Sequence, residues 1–185
     1  MTHQTSVERR HFDRHRKTYK HACIRTDGRE LPVLMRDLSE CGAGIETVRR
    51  LTVGQILDYR WDDEDFRTGK VIWVNENRVG IENAAVSNSL RKQQMPYRSV
   101  RVYASAPVSV FAGGRRIEGE LWNVAKRGLC ILTAAKIQQG ALTTIRVGKR
   151  QIENVTAKWC GADKIGFAFP NALSIAEMVS LVEGN

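Results

Sequence analysis

"GRELPVLMRDLSECGAGIETVRRLTVGQ" (residues 28–55) decides the fold, because it lies without a gap over "GRRIEGELWNVAKRGLCILTAAKIQQGA" (residues 114–141). At this offset of 86, Gly28 falls on Gly114, Asp37 on Asn123, Gly42 on Gly128, Ile45 on Ile131 and Gly54 on Gly140. The register persists downstream, with Trp73 on Trp159, Val79 on Ile165 and Gly80 on Gly166. Chance does not hold glycines and tryptophans in phase over such a distance. The chain reads as a duplication, with domains at residues 1–90 and 95–185.

Each unit is a series of short apolar or alternating runs separated by turn signals. In the first, "LPVLM", "AGIETV", "QILDYRW", "GKVIWV" and "RVGIE" are strand candidates, with "TDGR" and "NENR" as hairpin turns. The second repeats the series from "VSVFA" to "KIGFAF". Strands of this length closing on themselves leave no exposed edge. The expected fold is therefore mainly β, two tandem small antiparallel six-stranded β-barrels, followed by a C-terminal α-helix. That helix is "SIAEMVSLV", with Ile175, Met178, Val179 and Val182 on one face and Ser174 and Glu177 as a capping box. The corresponding "AAVSNSLRKQQM" of the first unit reads as a polar, partly helical linker.

With 42% hydrophobic and 26% charged residues, the 185-residue chain has the composition of an ordinary globular protein. It contains no apolar run long enough to cross a bilayer, and "MTHQTSVERR" is no secretory signal, so no membrane span and a cytoplasmic location are expected. Cys23, Cys41, Cys130 and Cys160 form no CxxC pair and read as small buried or half-buried side chains rather than zinc ligands or disulfides. Net charge is +9 and unevenly spread: residues 1–90 carry 15 Lys+Arg against 14 Asp+Glu, and residues 91–185 carry 14 against 6. Such a balance suits an anionic partner without naming it.

Positive charge in the first half gathers in "ERRHFDRHRKTYK" (Glu8–Lys20), where six of thirteen residues are Arg or Lys. The segment is either a solvated tail or a site for an anion. Within it, Arg10 and Arg14 have the spacing RxxxR, and downstream Asp37, Ser39 and Gly42 have the spacing DxSxxG. Both motifs in this order, followed by "GKVIW" and "VGIE", resemble the PilZ domain family, bacterial receptors for cyclic di-GMP. Asp13 and Cys41 depart from that pattern, where proline and glycine are common, but neither is a motif position.

The resemblance implies a ligand set of Arg9, Arg10, Arg14, Asp37, Ser39 and Gly42, no cofactor, and cyclic di-GMP as ligand. Guanine O6 and N7 form an acceptor pair that a guanidinium fork bridges, and the arginines also face the phosphates. Asp37 offers carboxylate oxygens to guanine N1–H and N2–H, Ser39 a hydroxyl, and Gly42 a position that refuses a side chain. In the family, an arginine just before RxxxR goes with an intercalated ligand pair, so Arg9 implies two molecules per site. With no fused output domain, the receptor would change conformation and act on an unidentified protein effector in motility, exopolysaccharide or biofilm control.

Applied to the second unit, the same offset puts Pro96 at Arg10, Val100 at Arg14, Asn123 at Asp37 and Ala125 at Ser39, so only Gly42 keeps its identity, as Gly128. The second domain reads as a degenerate copy that keeps its frame and lacks the ligand motifs. Its Lys126–Arg127 and Lys149–Arg150 pairs are placed to meet an acidic partner or the "DDED" of residues 62–65. No nucleophile, base and orienter occur at plausible spacing, which argues against an enzyme. His11 and His15 promise no metal site, and the four histidines read as exposed groups near the arginine segment. A nucleic-acid-binding barrel is the alternative, given Tyr97, Tyr103 and Trp122 in the basic half. Against it, and against nucleic acid as a partner, Trp73, Trp159, Phe167 and Phe169 fall on repeat positions that read as core.

Overall fold

Alternation marks no strand before Leu31, yet Arg16–Thr26 form the first one, β1. A computed structural model describes residues 16–62, 65–84 and 99–184. The end of the basic stretch is thus pleated backbone, paired with the following strand through Arg16↔Leu38 and Lys17↔Asp37. Its signal is weak because the strand is mostly polar and only His21–Ile24 are buried in succession, covered on both faces. Ala22 and Ile24 point into the first core, while Cys23 on the opposite face belongs to the second.

The first barrel continues with β2 (Arg29–Ser39), β3 (Gly42–Glu46), β4 (Ile56–Trp61), β5 (Arg67–Asn75) and β6 (Arg78–Asn83), closed in the order β1-β2-β3-β6-β5-β4. Asp27 and Gly28, both at positive φ, make the tight β1–β2 turn expected of "TDGR". The second barrel uses β7 (Val102–Tyr103), β8 (Pro107–Ala112), β9 (Arg115–Ala125), β10 (Gly128–Leu132), β11 (Leu142–Val147), β12 (Arg150–Cys160) and β13 (Lys164–Ala168). Pairing of β9 with β10 closes the ring of six, and β7 adds to the free side of β9. Together β7 and β8 repeat β1: Val102↔Val124 and Tyr103↔Asn123 lie 86 residues beyond Arg16↔Leu38 and Lys17↔Asp37.

Irregularities repeat as faithfully as strands. Arg36 is the extra residue of a β-bulge between β2 and β3, and Trp122 occupies the same place between β9 and β10. Ile72 and Lys158 are the extra residues where β5 meets β6 and β12 meets β13. A bulge breaks the two-residue alternation and turns consecutive side chains to one face. Leu31, Val33 and Met35 are buried, Arg36 and Asp37 only partly, and Leu38 returns to the core. The same device overturns the core placement of Trp73 and Trp159. Val71 and Ala157 point inward, but after the bulge Trp73 is half-buried and Trp159 is 47% exposed. Phe167 and Phe169 are buried as expected.

The terminal helix α1 (Ile175–Glu183) starts at the Ser174 capping box and stops at Gly184 in the left-handed region. Met178 and Leu181 join the second core, whereas Val182 packs against both cores and Glu183 approaches Arg49 at 3.8 Å. The helix is thus wedged between the barrels.

Contact between barrels centres on the outer face of β1 and β2. Glu30 accepts from the Tyr103 amide at 3.0 Å and from Arg60 Nη2 at 3.3 Å, and that nitrogen also donates to the Arg101 carbonyl at 2.6 Å. Phe66 and Tyr103 flank the Arg60 guanidinium at 4.7 and 5.9 Å. His21, expected on the surface, is buried here, and burial together with the nearby Lys126 charge lowers its pKa.

Asp62 pairs with Lys20 of its own barrel at 3.0 Å, while Arg150 pairs with Glu177 at 2.5 Å. All four cysteines are free, and Cys160 is exposed rather than half-buried. Among the described residues no helix is long and apolar enough to cross a membrane.

Candidate functional site

Where the β2 bulge meets the β5 bulge, the outer wall of the first barrel has a cavity of about 310 Å³. Asp37 and Arg36 line it from β2, Gly44 and Ile45 from β3, Trp73 from β5, Arg78 from β6 and Tyr19 from β1. The bulge is what puts Arg36 and Asp37 side by side on this wall. Regular alternation would have sent one of them into the core.

Gly44 sits opposite Asp37 in the ladder, and a Cβ there would stand 2.5 Å from Asp37 Oδ2 and 2.8 Å from Oδ1. The carboxylate therefore lies across the glycine and needs its bare Cα. Arg36 is held from behind: Nε donates to Glu46 Oε2 at 2.7 Å, Nη2 donates to the same oxygen, and the guanidinium covers the Tyr19 ring at 4.9 Å. Trp73 lies over Gly80, whose Cβ would collide with the indole. The result is one carboxylate, two guanidinium groups and two aromatic rings around a small concavity. Such a surface can offer acceptors to paired N–H donors, positive charge to phosphate, and a flat face to a base.

Of the residues singled out in the sequence, Asp37 lines this cavity. Ser39 stands two residues on, at the β2–β3 turn, where its hydroxyl donates to the Gly42 carbonyl at 3.2 Å. Gly42 has ordinary φ; its need is spatial, because a Cβ would collide with the Ile81 carbonyl of β6. Arg9, Arg10 and Arg14 lie outside the described residues. Sequence reasoning missed Tyr19, Arg36, Gly44, Trp73 and Arg78. A signal existed for two neighbours in space: Trp73 with Gly80 and Trp159 with Gly166 recur together, the pattern of an indole lying on a glycine. Nothing in the sequence marked Arg36 or Gly44. Among the described residues no group of three or more His, Cys, Asp or Glu could hold a metal ion.

Against known proteins, the PilZ domain family matches residues 8–94, a span that contains both motifs, all of the first barrel and the cavity. The first barrel is therefore a PilZ domain. No curated protein matches the chain.

Among solved structures, Bacillus subtilis MotI/DgrA, an inhibitor of motility, is similar at 12% identity and a TM-score of 0.39, with 89% of this chain and 93% of that one covered. Borreliella burgdorferi PlzA in complex with c-di-GMP is similar at 10% identity and a TM-score of 0.37, covering 91% and 87%. Escherichia coli YcgR in complex with c-di-GMP follows at 12% and 0.35, covering 86% and 79%.

Proposed function

We propose that this chain is a cyclic di-GMP receptor of the cytoplasm that takes the dinucleotide on the outer wall of its first barrel and signals to a protein partner. The observation that carries the reading is the PilZ family match over residues 8–94. The cavity supports it: Asp37 offers a carboxylate complementary to guanine N1–H and N2–H, and Arg36 and Arg78 ring it with positive charge. Arg10 and Arg14 clamp base edges and phosphates from the segment ahead of β1. Ser39 and Gly42 shape the turn beside Asp37, and Arg9 admits a second, intercalated ligand.

Ligand capture at residues 9–14 acts on the chain immediately before β1, whose outer face carries the second barrel. Occupancy then alters how the barrels meet and what they present to a partner in motility, exopolysaccharide or biofilm control. Calorimetry on the whole chain tests the receptor. Micromolar or tighter cyclic di-GMP binding at two per chain is expected, abolished by Arg10→Ala or Asp37→Ala and reduced to one per chain by Arg9→Ala. Salt-dependent binding of single-stranded oligonucleotides with no response to the dinucleotide would overturn it. Scattering and hydrogen exchange test the switch, which fails if saturating ligand changes neither.

A further inference from the structure

At the corresponding place on the second barrel lies another cavity, larger at about 410 Å³. Its wall contains Trp122 where the first barrel has Arg36, Asn123 where it has Asp37, and Lys164 where it has Arg78, while Trp159 keeps the place of Trp73. The second copy has therefore exchanged its polar groups and kept its concavity. Tyr103, Trp122 and Trp159 are 45, 38 and 47% exposed there, Tyr103 meeting Trp122 edge to face with centroids 5.5 Å apart. Lys164 Nζ stands 4.4 Å from the centre of the Trp122 ring, and Arg101 and Lys158 add two more cations.

Exposed aromatics interleaved with cations suit a planar ring carrying a negative charge. The concavity is the size of one small molecule and not a flat interface. Asn123, only 9% exposed, lines the same wall. The exchange of Asp37 for Asn123 also changes the edge that is read. A carboxylate presents acceptors only, whereas a carboxamide presents one donor and one acceptor, the pairing that matches adenine N6–H and its adjacent ring nitrogen.

We propose that the second barrel carries a separate site for an adenine nucleotide, with the base stacked among Trp122, Trp159 and Tyr103, its edge on Asn123, and its phosphate met by Lys164, Lys158 and Arg101. This site does not depend on the cyclic di-GMP reading of the first barrel. It does adjoin the contact between barrels, because Tyr103 donates its amide to Glu30 and Arg101 lends its carbonyl to Arg60.

The test is titration of the whole chain with AMP and GMP, followed by calorimetry and by the Trp122 indole N–H resonance, with cyclic di-GMP titrated separately. AMP is expected to bind about tenfold or more tightly than GMP and to shift the Trp122 signal. Trp122→Ala and Lys164→Glu are each expected to weaken AMP about tenfold or more, and Asn123→Asp to abolish the preference for adenine. Thermal melting confirms that these variants remain folded, and the resonance shift in the unaltered chain needs no variant at all. Equal affinity for the two nucleotides, binding indifferent to all three substitutions, or no binding of either nucleotide at millimolar concentration would each overturn the proposal. Loss of cyclic di-GMP binding alone would count only against the first barrel's function.

Discussion

Two glycines near each other in sequence, Gly42 and Gly44, separate folding from binding at the residue scale. A Cβ at Gly42 meets the backbone carbonyl of Ile81, which cannot step aside, so Gly42→Ala is expected to cost about 1–3 kcal/mol in chemical denaturation. A Cβ at Gly44 meets first the carboxylate end of the Asp37 side chain. Gly44→Ala should leave the melting temperature nearly unchanged while weakening cyclic di-GMP about tenfold to a hundredfold, the loss expected for a charge-assisted contact moved out of place. His21 makes a pH prediction with a definite sign. Its pKa is lowered in the folded state, first by burial and then by Lys126, so protons bind the unfolded chain more readily. The resulting stability is present above about pH 6.5 and declines as pH falls through the folded-state value; denaturation series against pH should show this slope, and His21→Leu should flatten it.

At the scale of elements, the bulges matter more than the strands they interrupt. Sequence alternation located most strands because one face of each is core and the other is wet. It missed β1, where the second barrel covers the outer face, and it misplaced Trp73 and Trp159, where an extra residue reverses the pleat. A bulge leaves no mark that alternation can detect beforehand, since it depends on the neighbouring strand. The start of the helix was legible because it is local chemistry: the Ser174 hydroxyl accepts from the Glu177 amide and Glu177 accepts in return, whereas Leu181, fully buried, was not on the face read from the sequence. Hydrogen bonds from Ser174 hold the Glu177 carboxyl below its ordinary pKa. Ser174→Ala should cost about 1 kcal/mol, read by denaturant titration.

Across the whole molecule, Glu30 and Arg60 decide how the two barrels meet. Both are largely buried side chains, and Glu30 also accepts the Tyr103 amide. Glu30→Ala strands the Arg60 charge and should cost about 3 kcal/mol, with faster hydrogen exchange at Tyr103 and a larger radius of gyration. The helix adds a second tie through Val182, which packs on both cores.

By itself the sequence determined that there are two copies of one barrel, where each begins to repeat, and that the first copy alone carries RxxxR and DxSxxG. These are properties of spacing, and spacing survives in the linear chain. Tertiary structure decided which side chains share a wall. Tyr19, Asp37, Gly44, Trp73 and Arg78 come from five strands and meet only after the barrel closes and the bulges turn them outward. It also decided that the second copy, which lacks the motifs, still has a concavity at the same place. A motif is lost by changing side chains, but a cavity framed by two bulges and a glycine under a tryptophan belongs to the backbone, which the second copy keeps at both bulges although β1 is split into β7 and β8.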